Sequence, residues 1–301
     1  MEVLTCNNIT KKVGKKIIID DISLSLKTGE VIGLIGPNGA GKTSLMKLLV
    51  GLYYIDEGCI SSLDNDQKLD FPNYIKNIGA IIENPMFYPK LTGKQCLNYY
   101  SIIRDINNNR IKEVSDLTGI NSILNQQVKT YSLGNKQRLG IAQALLVDPQ
   151  LLILDEPFNG LDPDGILELR NIILKQKEKN KTILISSHTL PELEQICDRF
   201  IFLKTGKIIE ELENKDFENT NFSIIDIDPK DFTNVEKLLE SQCTYPFEID
   251  DTRIIFKGVE QEYILDLIFW LKNKNVNVIN FENKKETLQD YYEKIILGGK
   301  K

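Results

Sequence analysis

Short apolar segments alternate with helix-like segments over the first two thirds of the chain. The segments LLILD (151–155) and TILISS (182–187) are almost wholly apolar, which is typical of central parallel strands that are covered on both faces. The segment SLSLKTGEVIGLIG (23–36) predicts a strand, a Lys-Thr-Gly turn and a buried strand that ends in glycine. Apolar residues recur at helical spacing in 42–52 and over most of 85–148. This order predicts an α/β domain whose helices pack on a largely parallel sheet.

A second pattern begins beyond a polar and charged stretch at 213–221. Residues 222–301 have the pattern of a strand, a helix, a hairpin, a helix, a strand and a last helix, which resembles the ferredoxin-like βαββαβ unit. We therefore expect one domain over 1–212, a linker at 213–221 and a small accessory α+β domain over 222–301. Helical spacing places Phe269 and Trp270 on the buried face of a helix, with a surface that binds a partner or a regulator as the alternative.

Composition limits the possible classes of protein. The 301 residues carry a net charge of −6, which disfavours non-specific binding to nucleic acid because such binding needs a basic surface. The five cysteines are scattered without a CxxC pair, as is typical of free thiols in a reducing cytoplasm. The start of the chain lacks a secretion signal, and the apolar segment at 263–271 is interrupted by Asp266 and is too short to cross a bilayer. Any membrane role is therefore expected to depend on a partner.

A glycine-rich segment, GPNGAGKTS, matches the phosphate-binding loop G-x-x-x-x-G-K-[ST], and it lies between a predicted strand and a predicted helix, as that loop requires. Glycines allow backbone N–H groups to turn towards phosphates, and the helix N-terminus adds partial positive charge. Lys42 is expected to reach the β- and γ-phosphates, and the Thr43 hydroxyl is expected to ligate Mg²⁺. The residues predicted to hold the nucleotide are Gly36, Pro37, Asn38, Gly39, Ala40, Gly41, Lys42, Thr43 and Ser44.

Two acidic residues mark the end of the apolar run at 151–155: Asp155 is its last residue and Glu156 follows. A carboxylate at this edge of the sheet lies beside the phosphates, so Asp155 is expected to hold Mg²⁺ directly or through water. Glu156 can orient the water that attacks the γ-phosphate and can accept its proton. The sole histidine, His188, follows the next apolar run. A lone histidine at a strand end is, by itself, more often a hydrogen-bonded structural residue than a catalytic one.

Three further segments, TYSLGNKQRLGIAQALLVDPQ (130–150), NGLDP (159–163) and SSHTL (186–190), carry a resemblance to a known family. They resemble the signature segment, the D-loop and the switch-histidine segment of ATP-binding cassette (ABC) ATPases. With the phosphate loop and the acidic pair, they follow that family's order and spacing over about 200 residues. The resemblance implies a P-loop NTPase fold with a RecA-like core and a helical subdomain, and ATP and Mg²⁺ as cofactors.

The resemblance also implies roles that spacing alone does not assign. His188 would contact the γ-phosphate and help to hold the attacking water near Glu156. Two copies of the cassette would pack head to tail as a homodimer when ATP binds. Ser132 and Gly134 of one subunit would then face the γ-phosphate held by the other subunit. Asp162, in the D-loop, is included among the expected nucleotide-binding residues.

Two positions depart from the family pattern. Glu83 stands where most cassettes carry a glutamine that senses Mg²⁺ and the γ-phosphate and borders the contact with the membrane subunit. A glutamate can also ligate Mg²⁺, although it adds a full charge, and with ENPxFYPxL and SLGxKQR it resembles the cassettes of bacitracin-resistance and lantibiotic-immunity exporters. Val13 stands where many cassettes place an aromatic residue that stacks on adenine, and valine offers van der Waals contact without a π face.

These resemblances identify the chain as the ATP-hydrolysing subunit of an ABC exporter for a peptide antibiotic. It is expected at the cytoplasmic face of the membrane, attached peripherally through an integral membrane permease, with no nucleic-acid partner. One alternative is a soluble ABC ATPase that acts on ribosomes or nucleic acid, although such proteins typically carry two cassettes or a long coiled coil. Another is a P-loop kinase, which needs an acceptor site and gives no reason for the SLGNKQR segment.

Overall fold

The computed structural model describes residues 1–62, 74–218, 221–231, 235, 238–239 and 243–296. The chain divides into two units, Met1–Leu212 (unit 1) and Glu213–Lys301 (unit 2). The strands that begin in unit 1 are β1 (Glu2–Val13), β2 (Lys16–Lys27), β3 (Val31–Ile35), β4 (Glu57–Ser62), β5 (Ile78–Ile81), β6 (Leu151–Asp155), β7 (Thr182–Ser186), β8 (Arg199–Lys204) and β9 (Lys207–Glu213). The helices of unit 1 are α1 (Lys42–Leu49), α2 (Gly93–Ile103), α3 (Asn109–Leu117), α4 (Leu133–Leu145), α5 (Pro163–Glu178) and α6 (Leu190–Ile196), with 3₁₀ turns at Tyr74–Asn77 and Val128–Thr130.

A six-stranded sheet in the order β5-β6-β7-β3-β8-β9 forms the centre of unit 1. Its β5–β6, β6–β7, β7–β3 and β3–β8 pairs are parallel. Strands β3, β6 and β7 are buried at every position, as expected of strands that are covered on both faces. The predicted α/β fold is confirmed, and the carboxyl ends of β3, β6 and β7 meet at one edge of the sheet.

A second sheet, antiparallel and in the order β2-β1-β4, also belongs to unit 1. The sequence pattern did not separate this sheet from the parallel one, because β2 and β3 are adjacent in the chain. Helix α1 buries four apolar residues, and the core around them draws on both sheets: Leu4, Ile9, Ile32, Leu34, Leu45, Met46, Leu48 and Leu49. Each fully buried leucine contributes about 1.5–3 kcal/mol. This burial fixes α1, and therefore also the loop that precedes it.

Helices α2, α3 and α4 pack on one another and form a helical layer. Helix α2 begins with a capping box of Thr92 and Gln95, and the Ser132 hydroxyl caps α4 by accepting a hydrogen bond from the Asn135 N–H at 3.2 Å. Strand β5 approaches α4 so closely that a Cβ at Gly79 would lie 2.1 Å from the Ala144 carbonyl oxygen. The helical layer is thereby held against the edge of the parallel sheet.

Unit 2 contains an antiparallel sheet in the order β11-β12-β10-β13, formed by β10 (Asn221–Ile227), β11 (Phe247–Asp250), β12 (Arg253–Lys257) and β13 (Val278–Lys285). Its helices are α7 (Lys215–Glu218), α8 (Gln261–Asn273) and α9 (Leu288–Ile296), and the helical residues Val235 and Leu239 are buried in the same core. The first strand lies between the third and the fourth, which is the strand order of the ferredoxin-like unit. A small C-terminal α+β domain is therefore present, while the linker at 213–221 stays a prediction.

Helix α8 differs from the sequence-based expectation at one residue. Ile264, Leu267 and Leu271 are buried and Trp270 packs partly against the core, but Phe269 is 68 % exposed. Phe269 lies two positions from both Leu267 and Leu271, about 200° around the helix, so its assignment to the buried face was wrong. No helix within the described part of the chain, α8 included, is long and apolar enough to cross a membrane.

Candidate active site

The phosphate loop connects β3 to α1 through residues 36–41. A Cβ at Gly36 would lie 2.2 Å from the Leu203 carbonyl oxygen in β8, so the loop can leave the strand here only with glycine. The Lys42 ammonium donates a hydrogen bond to the Gly36 carbonyl oxygen at 2.7 Å and so spans the loop. The first residues of α1 line the adjoining cleft, where unpaired N–H groups of a helix start favour a bound anion.

Burial lowers the pKa of Lys42, and the charges of Glu156 and Asp155 act against that shift. The ammonium group is therefore partly removed from water and lies near two carboxylates. Phosphate oxygens in the cleft would add negative charge and favour the protonated lysine further. Lys42 thus lies in the cleft lining beside the phosphate loop, and its role in neutralising phosphate charge stays a prediction.

Asp155 ends β6 and is 3 % exposed. Its Oδ2 atom accepts a hydrogen bond from the Thr43 hydroxyl at 2.8 Å, and Oδ1 accepts one from the Ser186 hydroxyl at 2.6 Å. A carboxylate and a hydroxyl side by side next to a phosphate loop fit Mg²⁺, because this ion takes few protein ligands and completes its octahedron with phosphate oxygens and water. Thr43 and Asp155 are the residues that would hold it.

Glu156 has a left-handed backbone, with φ of 49°. Its N–H group donates to the Ser186 carbonyl oxygen at 3.1 Å and lies 3.0 Å from the Ser186 hydroxyl oxygen. The Oε2 atom of Glu156 accepts a hydrogen bond from the His188 N–H at 3.2 Å and lies 2.8 Å from His188 Nδ1. The His188 side chain is 65 % exposed and its described ring contact is with Glu156, so its catalytic role stays a prediction. While Nδ1 contacts Glu156, the second ring nitrogen of His188 can contact another group.

The cleft itself has a volume of about 370 Å³. Its lining comprises the loop and α1 residues Pro37, Asn38, Gly39, Ala40, Gly41, Lys42, Thr43 and Ser44, the acidic residues Asp155 and Glu156, and Lys16, Ile17, Ile18, Thr205 and Gly206. The last five were missed by sequence reasoning. The Thr-Gly turn after β8 is visible in the sequence, but no pattern indicates that it meets β2. Val13 ends β1, pairs with Lys16 and is 57 % exposed, outside this lining.

Glu83 follows β5 and has a left-handed backbone, with φ of 63°. Its N–H group lies 3.4 Å from Asp155 Oδ2, whereas its carboxylate lies 2.6 Å from the Lys47 ammonium. The backbone of Glu83 thus contacts the predicted metal ligand Asp155, and its side chain forms an ion pair beyond the cleft lining. The role of Glu83 as a metal ligand stays a prediction.

Ser132, Gly134 and Asp162 do not line the cleft of their own chain. Ser132 caps α4, and Asp162 caps α5 by accepting a hydrogen bond from the Gly165 N–H at 2.9 Å. The start of α4 and the residues just before α5 are adjacent, since a Cβ at Gly134 would lie 3.4 Å from Leu161 Cδ2. The structure therefore places these three residues together, at a site separate from the phosphate loop.

The site has the features of a P-loop NTPase. A phosphate loop connects β3 to α1, Asp155 contacts Thr43 beside that loop, and Glu156 next to it pairs with His188. Residues 19–159 match the family model described as ABC transporter. The chain is 38 % identical over 298 residues to the uncharacterised ABC transporter ATP-binding protein YdbJ of Bacillus subtilis strain 168, an alignment that covers 97 % of this chain and 94 % of the relative. This chain belongs to the family of ABC transporter ATP-binding proteins, and it is an ATP-binding and ATP-hydrolysing cassette.

Two further relatives carry more specific names. The bacitracin transport ATP-binding protein BcrA of Enterococcus faecalis is 33 % identical over 300 residues, which covers 99 % of this chain and 97 % of BcrA. The lantibiotic transport ATP-binding protein SrtF of Streptococcus pyogenes is 41 % identical over 218 residues, which covers 72 % of this chain and 93 % of SrtF. The resemblance to bacitracin and lantibiotic cassettes that the sequence suggested is confirmed.

Solved structures show the same fold. An ATP-binding subunit of an ABC transporter is 30 % identical with a TM-score of 0.66, and the match covers 72 % of this chain and 92 % of that one. A dimeric ATP-binding cassette in a post-hydrolysis state, bound to ADP and Pi, is 25 % identical with a TM-score of 0.64, and covers 70 % of this chain and 98 % of that one. The expected P-loop NTPase fold is therefore confirmed.

Proposed function

We propose that this chain powers an exporter that removes a peptide antibiotic of the bacitracin or lantibiotic type and so confers immunity or resistance. The names of BcrA and SrtF support this cargo class. They also favour transport over action on ribosomes or nucleic acid. The single observation that carries the ATPase part is the Glu156 carboxylate, which lines the phosphate cleft and is held 2.8 Å from His188 Nδ1.

The reaction we propose is in-line attack of water on the γ-phosphate of ATP. Glu156 orients this water and accepts its proton, while His188 keeps the Glu156 carboxylate in place and donates to developing negative charge. Lys42 neutralises charge on the β- and γ-phosphates. Thr43 and Asp155 would hold Mg²⁺, which would supply Lewis-acid stabilisation of the phosphate oxygens.

We further propose that two copies of the chain form a head-to-tail dimer around two ATP molecules. Ser132, Gly134 and Asp162 lie outside the cleft of their own chain. This position is consistent with contact between these residues and the nucleotide in the cleft of a second copy. The Ser132 hydroxyl accepts the Asn135 N–H bond, so its proton is available to donate to a phosphate oxygen. The dimeric cassette bound to ADP and Pi supports this arrangement.

An integral membrane permease would complete the transporter and place this chain at the cytoplasmic face of the membrane. ATP-driven closure and hydrolysis-driven release of the dimer would then supply the conformational cycle for export. Co-purification of the tagged chain with an integral membrane protein would support this part of the proposal. Co-purification with ribosomes or DNA instead would contradict it.

Glu156→Gln tests the catalytic role. The variant is expected to bind ATP as the wild type does and to hydrolyse it about 100-fold or more slowly, since it lacks the proton acceptor. Glu178→Gln, at an exposed position at the end of α5, is the matched control and should retain full turnover. Near-normal hydrolysis by Glu156→Gln would remove Glu156 from its role.

The cargo proposal is tested in a host that is sensitive to these peptides and expresses the chain together with its permease. The wild type should raise the minimal inhibitory concentration of bacitracin or of a lantibiotic, and Glu156→Gln should not. An active ATPase that binds the permease but leaves resistance to both peptide classes unchanged would refute the cargo proposal and leave the ATPase intact.

A further inference from the structure

The turn between β8 and β9 consists of two residues, Thr205 and Gly206, and has a strained backbone. Both residues have positive φ, 47° for Thr205 and 81° for Gly206, as in a type I′ hairpin turn. Asparagine, aspartate or glycine normally occupies the first position of such a turn, because a branched side chain is strained there. Among the described non-glycine residues with positive φ, Thr205 is the only one with a β-branched side chain. Threonine is thus an unfavourable residue for the turn itself.

Gly206, and not Thr205, fixes the turn against the phosphate loop. The Gly206 N–H group donates to the Ala40 carbonyl oxygen at 2.8 Å, and the Gly206 carbonyl oxygen accepts the Asp20 N–H bond at 2.9 Å. A Cβ at Gly206 would lie 2.7 Å from the Ile18 carbonyl oxygen. All of these contacts belong to the Gly206 backbone, so they do not require a threonine at the preceding position.

The Thr205 side chain is exposed, and the residue lines the phosphate cleft. Within the part of the chain that the structure describes, the Thr205 hydroxyl has no hydrogen-bond partner. A strained backbone at a cleft-lining residue points to a function of its side chain. Since neither the turn nor a contact within the chain explains the threonine, its partner is expected among the groups that enter the cleft.

The strand order indicates which part of a nucleotide meets Thr205. Asp155 ends β6 and Thr205 follows β8, and β7 and β3 lie between these two strands. The predicted metal ligand Asp155 and the adjacent Glu156 therefore lie on the β6 side of the cleft, where the terminal phosphates belong. A nucleotide with its phosphates on the phosphate loop would direct its sugar and base towards the β8 side, where Thr205 lies.

We propose that Thr205 is a nucleotide-binding residue whose hydroxyl forms a hydrogen bond with a sugar hydroxyl of the bound nucleotide. A threonine hydroxyl both donates and accepts, which matches a sugar hydroxyl, whereas the phosphates are met by Lys42 and by backbone N–H groups. The strained backbone is retained because it places this side chain in the cleft. This inference rests on the nucleotide site of the proposed function.

The test measures the dissociation constants of ADP and of dideoxy-ADP, whose sugar lacks both hydroxyl groups, by calorimetry of the full chain with Mg²⁺. Thr205→Val keeps the branched shape without the hydroxyl, and should weaken ADP binding about three- to tenfold, as expected for one neutral hydrogen bond. Binding of dideoxy-ADP should not change, because that nucleotide lacks the partner of the hydroxyl. Thr205→Ser should bind ADP as the wild type does. Thr28→Val, at an exposed turn before β3, is the matched control and should leave both constants unchanged.

Thr205→Gly separates nucleotide binding from folding. It relieves the left-handed strain, so it should unfold at the same temperature as the wild type or higher, yet it should weaken ADP binding as Thr205→Val does. Unchanged ADP binding in both variants would overturn the inference. An equal loss for ADP and dideoxy-ADP would also overturn it, because the Thr205 hydroxyl would then not act through the sugar. If the wild type binds neither nucleotide, the nucleotide site of the proposed function fails instead.

Discussion

Ser186 joins the two acidic residues of the site, so its removal is expected to destabilise unit 1 by a defined amount. The Ser186 hydroxyl donates to Asp155 Oδ1 at 2.6 Å and lies 3.0 Å from the Glu156 backbone nitrogen. Ser186 is fully buried. In Ser186→Ala the bond to a charged group is lost, which costs about 1.5–3 kcal/mol. The variant also loses the contact between the Glu156 N–H group and the Ser186 hydroxyl. This loss adds little, because the same N–H group keeps its bond to the Ser186 carbonyl oxygen at 3.1 Å.

This cost corresponds to a fall in Tm of about 3–12 °C for a unit of this size. The assay is hydrogen exchange across a thermal ramp, read on peptides from β6 and β7. Fluorescence is unsuitable because the single tryptophan, Trp270, lies in unit 2.

Ser187→Ala is the matched control for Ser186→Ala. Ser187 is also buried, and among the described residues its hydroxyl accepts a neutral bond, from the Thr189 N–H group at 2.9 Å. A neutral bond of this kind contributes about 0.5–1.5 kcal/mol. If Ser186→Ala lowered Tm no more than Ser187→Ala does, the bond from Ser186 to Asp155 would not have the charged character assigned to it.

Two other predictions concern His188 and the cysteines. His188→Ala should leave the unfolding temperature unchanged, because the side chain is largely exposed, but should lower ATP turnover about 100-fold or more through loss of the group that holds Glu156. A normal steady-state rate in that variant would contradict the role. Burial raises the pKa of Cys6 to about 12, so at pH 8 only about one thiol in 10⁴ is the reactive thiolate. Mass spectrometry after iodoacetamide treatment of native protein should show the half-buried Cys59 modified long before Cys6, and equal labelling of the two would refute the buried placement of Cys6.

The parts of the site that sequence predicted are those that follow an apolar strand in the chain. Gly36, Asp155 and His188 each lie at or just beyond the carboxyl end of β3, β6 or β7. Because parallel strands end at the same edge, local order along the chain was enough to bring these residues together. The same reasoning supplied the fold class.

The remaining features depend on contacts between distant segments. Strand β2 contributes Lys16, Ile17 and Ile18 to the cleft, yet it pairs with β1 in a sheet that the apolar pattern did not reveal. The bond between Glu83 and Lys47 joins two surface residues, and charged surface residues carry no periodic signal. Phe269 was misplaced because an apolar residue in an apolar helix was taken as buried, although soluble proteins expose many such residues.

The strand order of the parallel sheet has a consequence for the chemistry. Strand β7 lies between β3 and β6, so the strand that feeds the phosphate loop and the strand that carries Asp155 are two strand spacings apart, about 9–10 Å. Main-chain hydrogen bonds through β7 fix that separation, and the Thr43 side chain at the start of α1 spans it to reach Asp155 Oδ2 at 2.8 Å. Side-chain substitutions can tilt the groups at this edge of the sheet, but the distance between the two strands changes only if the strands pair differently.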